Sequence, residues 1–230
     1  MDIAGSSALV TGANRGFGRA LATQLVERGA KTVYAAVRDP ATVTDDRLVP
    51  IRFDVTDAES VRRAAAQLGD VDLVINNAGI GGAGSLLSGD IEGGRAVLET
   101  NFFGPATVIR EFAPVLGRNG GGAVVNVLSV LSWLTSPSFG AYAASKAAAW
   151  SLTNSARAEL RGQGTQVLGV HVGFMDTDLI ASIDAPKLDP AAVATQVLDA
   201  LESGAEELLA DDLSREIKSR LTGPPSALTT

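Results

Sequence analysis

The chain has 230 residues, no cysteine and one histidine, and its 26 acidic side chains outnumber 19 basic ones for a formal charge of −7. These counts exclude disulfides, thiolate nucleophiles, and cysteine-ligated or multi-histidine metal sites, so no metal is expected. The acidic balance offers no basic face to nucleic acid, and no apolar run is long enough to span a membrane.

The opening residues Met1-Asp2-Ile3-Ala4-Gly5 lack the basic start of a secretory signal and lead directly into a strand, so a cytoplasmic protein is expected. Residues 7–11 read as a buried strand, and 19–28 as a helix stopped by Gly29. Residues 31–37 and 49–55 are β-rich, and Thr56 is placed to cap a helix running to about residue 68. A strand over 71–76 leads into a glycine-rich loop, 79–84. A long helix is expected over 91–116, a strand over 122–129, a helix over 142–161 and a strand over 166–172. A helix over 190–203 and a weak strand over 206–210 follow. Strands alternating with helices predict right-handed crossovers and a parallel sheet. The continuous apolar character of the strands predicts helices on both faces. The expected fold is therefore α/β: a single-domain, Rossmann-type, doubly wound domain over residues 1–222, with a mostly parallel seven-stranded sheet. The tail 223–230, with Pro224-Pro225, is expected to carry no fold.

Thr11-Gly12-Ala13-Asn14-Arg15-Gly16-Phe17-Gly18 joins the first strand to the first helix. A pyrophosphate approaching the positive end of a helix needs bare backbone N–H groups, and side chains at Gly12, Gly16 or Gly18 would obstruct it. A glycine triplet alone can be just a tight turn, but a preceding strand and a following helix supply the context of a dinucleotide site. An acid near the end of the second strand would bind an NAD ribose, whereas a basic residue takes the 2′-phosphate of NADP. The second strand ends Ala35-Ala36-Val37-Arg38, and Arg15 could reach the same phosphate, so NADP(H) is favoured over NAD(H). Asp39 is the competing possibility as a ribose ligand.

These residues resemble the short-chain dehydrogenase/reductase family over about residues 5–212. The carrying motifs are the Thr-Gly-x-x-x-Gly-x-Gly loop, Asp54-Val55, Asn76-Asn77-Ala78-Gly79 and Tyr142-Ala143-Ala144-Ser145-Lys146. The resemblance implies that Asn14, Arg15 and Phe17 lie along the cofactor with the three glycines. It places Asp54 and Val55 at the adenine, Asn77, Ala78 and Gly79 beside the cofactor, and Gly173 and Thr177 near the nicotinamide. It also implies a catalytic set of Asn101, Ser129, Tyr142 and Lys146. Ser129 lies 13 residues before Tyr142, at the ligand-facing end of a parallel strand. Tyr142 and Lys146 share one helix face, and an ammonium one turn away is expected to lower the phenol's pKa. Tyr142 then exchanges a proton with the substrate oxygen, Ser129 binds that oxygen, Lys146 holds the ribose, and Asn101 holds a relay water.

The chain departs from the family where His171-Val172-Gly173 stands for a usual Pro-Gly, Val172 replacing the proline. His171 is expected to be a packed strand residue. Leu131, Trp133, Phe139 and Phe174, with Ile80 and Met175 nearby, are candidate walls for a small, rather apolar carbonyl or alcohol. A homodimer or homotetramer is expected, its faces built from the long helices. Two other readings compete: a non-catalytic NAD(P)-binding redox-sensing regulator, and an epimerase or dehydratase of the extended relatives. The second normally needs a larger C-terminal substrate region than 230 residues allow.

Overall fold

The computed structural model describes residues 1–229 other than Ala83 and Leu86. Ala83 in the expected glycine-rich loop and Thr230 at the end of the expected tail therefore lie outside the described residues, as does Leu86. Among the described residues, seven strands form one sheet: β1 (Ser7–Thr11), β2 (Thr32–Val37), β3 (Val49–Arg52), β4 (Leu73–Asn76), β5 (Ala123–Val127), β6 (Gln166–His171) and β7 (Glu207–Leu209). All neighbours are parallel, in the order β3-β2-β1-β4-β5-β6-β7. The helices are α1 (Gly16–Glu27), α2 (Ala58–Gln67), α3 (Ile91–Leu98), α4 (Gly104–Arg118), α5 (Gly140–Leu160), α6 (Pro190–Glu202) and α7 (Asp212–Ser219).

Strand side chains alternate between the two faces, so each strand feeds two cores. Val10 and Ala8 pack with Leu21 and Leu25 of α1 and Val197 and Leu201 of α6. Leu9, between them, packs on the other face with Val61 of α2 and Phe112 and Leu116 of α4. The chain runs outward from β1 to β3 and then returns to β4 beside β1. Their C-terminal ends therefore flank the crevice of a doubly wound sheet, where ligands bind.

Several expectations are revised locally. The β3 strand ends at Arg52, and Thr56 does not cap α2. The Asp54 carboxylate accepts from both the Thr56 backbone N–H and its hydroxyl, at 2.9 and 2.8 Å, and Asp57 caps the helix instead. The helix expected over 91–116 is broken by a π-helical turn at Glu99–Phe103. The tail expected to carry no fold has one: Pro225–Leu228 forms a 3₁₀ turn, and Leu228 accepts a bond from the Thr135 N–H at 2.9 Å. Pro224 stands at the cap and Pro225 opens the turn, because proline fits the first helical positions.

Candidate active site

At the β1–β4 crevice the glycine loop is shaped by backbone demands. Gly12 and Gly16 have φ of +69° and +52°, which L side chains rarely adopt. A Cβ on Gly18 would lie 2.3 Å from the Gly12 carbonyl oxygen and 2.5 Å from Asn77 Nδ2. Thr11 and Asn77 lock the two strand ends together. The Thr11 hydroxyl accepts from the N–H groups of Asn77 and Ala78, and Asn77 Nδ2 donates to the Thr11 carbonyl at 2.9 Å. Aspartates cap α2, α3, α6 and α7, whereas Arg15 gives α1 no side-chain cap. The first N–H groups of α1 thus face the crevice, and the residues present fit a dinucleotide pyrophosphate. Phe17 contributes only backbone there, because its ring is buried in the core with Leu21 and Val10.

Arg38 is exposed at the end of β2 and lines a cleft of about 240 Å³ with Arg52, Asp54, Asp57, Ser60 and Arg63. Arg52 and Arg63 add two guanidiniums that the sequence reading missed; Arg52 reaches the cleft because β3 pairs Arg52 with Val37. Asp39 is engaged locally, its carboxylate accepting the Ala41 N–H at 3.1 Å as the cap of a 3₁₀ turn. Arg15 lies across the crevice mouth, paired with Asp178 at 2.8 Å with both side chains exposed.

The structure brings together Ser129, Tyr142, Lys146 and Asn101. Ser129 follows β5, with its backbone in an ST turn: the hydroxyl accepts the Leu131 N–H at 3.1 Å. Tyr142 and Lys146 sit on successive turns of α5, and the Lys146 ammonium is 5.7 Å from the phenol ring centroid. Tyr142 is half-buried as a whole, but desolvation of its hydroxyl end pushes the phenol up to about 12, and a hydrogen bond with the Ser129 hydroxyl opposes that rise. The expectation that Lys146 lowers this pKa is corrected: the ammonium is held by the Val127 carbonyl at 2.9 Å, and burial brings Lys146 itself down to about 8. At neutral pH the pair is a protonated phenol beside a cationic lysine.

Asn101 is presented by the π-helical turn and is 1 % exposed. Its Oδ1 accepts the Ile80 N–H and its Nδ2 donates to the Ile80 carbonyl, at 2.9 and 3.0 Å. Nδ2 also donates to Ser145 Oγ at 3.1 Å, and that hydroxyl donates to the Tyr142 carbonyl at 2.7 Å. Ser145 was missed as a site residue, though its place directly before Lys146 in the helical motif was a usable signal.

Beyond β6, the Gly173 N–H donates to Asp211 at 2.7 Å, and the same carboxylate caps α7. Asp211 and α7 were missed; Asp211-Asp212-Leu213-Ser214 is a readable helix-start signal. Thr177 lies against Gly16. Of the expected substrate walls, Phe174 is 37 % exposed, and Phe139 bridges to Gly84 at the head of α5. Leu131 packs, half-buried, against a small cluster formed by Val130, Trp133, Leu134 and Ile217. Trp133, a candidate wall, is buried instead: its ring is stacked on His171 at 3.7 Å between centroids and meets Trp150 edge-on at 5.8 Å. A cleft of about 330 Å³ opens instead between Ile80, Asp90, Ile91, Val97 and Ala141.

The family model described as short chain dehydrogenase matches residues 6–188. A short chain dehydrogenase from Burkholderia cenocepacia, solved in complex with NADP, is 42 % identical and superposes with a TM-score of 0.94 over 99 % of this chain and 97 % of its own. A short chain dehydrogenase/reductase from Burkholderia phymatum, solved with NAD, is 26 % identical with a TM-score of 0.83, over 96 % and 94 % of the two chains. An uncharacterized oxidoreductase of Myxococcus xanthus is 34 % identical over 192 residues, 78 % of this chain and 76 % of that protein. With the family model spanning residues 6–188, which contain the glycine loop and the Tyr-x-x-x-Lys helix, the chain belongs to the short-chain dehydrogenase family of oxidoreductases.

Proposed function

We propose that this protein is an NADP(H)-dependent reductase of carbonyl compounds, acting reversibly on the corresponding alcohols, with Tyr142 as its general acid. The observation that carries this reading is the placing of Tyr142 and Lys146 on successive turns of α5, the ammonium 5.7 Å from the phenol ring and held by the Val127 carbonyl at the C-terminal edge of β5. When bound, the nicotinamide supplies or accepts the hydride. The chain's own groups do the rest. The uncapped start of α1 binds the pyrophosphate, and Arg38 holds the 2′-phosphate with support from Arg15, Arg52 and Arg63. Ser129 and Tyr142 hydrogen-bond the carbonyl oxygen, where negative charge develops, and Tyr142 gives it a proton. Lys146 holds the ribose of the cofactor, and Asn101 orients the Ile80 segment and Ser145 behind it. Apolar residues at the cleft, Ile80, Ile91 and Val97, favour a small and rather apolar substrate. A symmetric homodimer or homotetramer belongs to the same reading, with Phe103, 51 % exposed beside α4, available at a subunit face.

The deciding experiment follows NADPH consumption over a panel of ketones and aldehydes, with NADH in parallel. Turnover with at least one carbonyl class and preference for NADPH are expected; cofactor binding without turnover would establish the regulator instead. Arg38→Ala is expected to raise the KM for NADPH by roughly ten- to a hundredfold and leave that for NADH nearly unchanged, since one charged contact to phosphate contributes roughly 1.5–3 kcal/mol. Equal effects on both cofactors would remove Arg38 from the phosphate.

Lys146 sets a pH limit. It is charged below about 8 and loses its proton above. Carbonyl reduction is therefore expected to fall as pH rises past about 8. An initial-rate pH profile of reduction checks this; a rate flat to pH 10 contradicts it.

A further inference from the structure

We propose that His171 is a positioning residue for Ser129, holding the serine's backbone in place from the neighbouring strand. The inference rests on the reading of Ser129 as a substrate-oxygen ligand. His171 ends β6, is fully buried, and places Nδ1 3.2 Å from the Ser129 carbonyl oxygen. A carbonyl can only accept, so the proton of the imidazole must sit on Nδ1. Nε2 is then an acceptor, and it has no hydrogen-bond partner among the described residues; Glu207 Oε1 is 3.7 Å away, too far to bond.

Apart from the Tyr142 phenol that its hydroxyl meets, the remaining Ser129 contacts among the described residues lie within its own turn. Its carbonyl also accepts the Ser132 N–H at 2.9 Å, its N–H reaches Ser132 Oγ at 3.4 Å, and its hydroxyl accepts from Leu131. The residues on either side of Ser129 are tied to the neighbouring strand, Leu128 N–H to the Val170 carbonyl at 2.8 Å and Val130 N–H to the Val172 carbonyl, but neither bond reaches the Ser129 carbonyl oxygen. His171 supplies a cross-strand bond to Ser129 itself, next to the ladder bond from the Val130 N–H to the Val172 carbonyl at 3.0 Å.

The imidazole is kept in that role by its surroundings. The Trp133 indole stacks on it, 19° from parallel, and Ile217 of α7 and Leu228 of the tail close over the cluster. Burial lowers His171 to about 4, and the ammonium groups of Lys218 and Lys146 and the Arg157 guanidinium further disfavour its cation. A neutral ring with one tautomer gives a fixed donor.

The chain's single histidine makes the first test direct. ¹⁵N-histidine labelling of the intact protein yields one imidazole, and its nitrogen shifts are expected to show the neutral Nδ1–H tautomer at pH 6. An Nε2–H tautomer would overturn the proposal, whatever the variants do. The second test compares His171→Leu with His171→Asn, whose amide can donate from nearly the Nδ1 position. His171→Leu is expected to lower kcat about tenfold or more with the KM for NADPH unchanged, as misplacement near reacting atoms does. His171→Asn is expected to restore most of that loss. Equal loss in both, or no loss in His171→Leu, would reduce His171 to a packing residue. Ser129→Ala runs in the same assay: full turnover there would fail the serine reading itself, separately from the role of His171.

Discussion

Tyr142→Phe is expected to lower turnover by about 10³-fold, within the range that removal of a general acid costs, and to leave NADPH affinity nearly unchanged. Phenylalanine keeps the ring, so the face 5.7 Å from the Lys146 ammonium and the packing at the start of α5 survive. What disappears is the hydroxyl that faces the Ser129 side chain. The substrate oxygen then has a hydrogen-bond donor but no acid, and the charge developing on it must draw a proton from water. Steady-state kinetics give kcat, and equilibrium titration with NADPH gives affinity. A loss shared between the two would mean that the ring supports the cofactor, and turnover within threefold of the parent would remove Tyr142 from the proton-transfer step.

Gly18→Ala is expected to abolish measurable cofactor binding and to destabilise the fold. Its added methyl meets the Gly12 carbonyl oxygen at 2.3 Å and Asn77 Nδ2 at 2.5 Å, and neither can move alone. The Gly12 oxygen belongs to the loop that turns from β1, and Asn77 Nδ2 is already bonded to the Thr11 carbonyl. Relief therefore separates the ends of β1 and β4, where the crevice lies. Overpacking of this kind costs ~1–3 kcal/mol, a fall in Tm of about 2–12 °C for a chain of this size. Gly69→Ala is the control, because a Cβ there meets nothing within 4 Å. Thermal melts with and without NADPH separate the effects: Gly69→Ala keeps the cofactor-induced rise in Tm and Gly18→Ala loses it. A Gly18→Ala protein that still gains stability from NADPH would contradict the assigned role of the glycine loop.

The sheet was legible because its strands are short apolar runs between helical patterns, and the order of elements leaves few topologies once crossovers are right-handed. The glycine loop and the Tyr142–Lys146 spacing were legible because each depends on local sequence alone. What escaped depends on contacts between distant segments. Trp133 is an apolar residue near a site, and nothing local distinguishes a pocket wall from a ring covered by His171 and Trp150. The docked tail owes its order to Thr135, 93 residues upstream of Leu228. Likewise, a phenol one turn from a lysine reads as acidified, until the three-dimensional surroundings show the ammonium turned to Val127 and the phenol desolvated. Thr56 lost its capping place to Asp57 because Asp54 engaged it first, a competition among three adjacent polar residues that propensity does not rank.

The π-helical turn at Glu99–Phe103 has a consequence for how this region tolerates change. Each α-helical residue advances about 100° around its axis, and a π turn inserts one residue into that count without lengthening the hydrogen-bonded rod in step. The faces of α3 and α4 are therefore out of phase with one another by one residue: Val97 faces the cleft before the turn, while Val108 and Phe112 face the sheet after it. Deleting a residue between 99 and 103 would restore an uninterrupted spiral but rotate one of these faces away from its partner. The irregular turn is thus the phase correction that lets a single rod serve two differently oriented surfaces, with Asn101 at the point of offset.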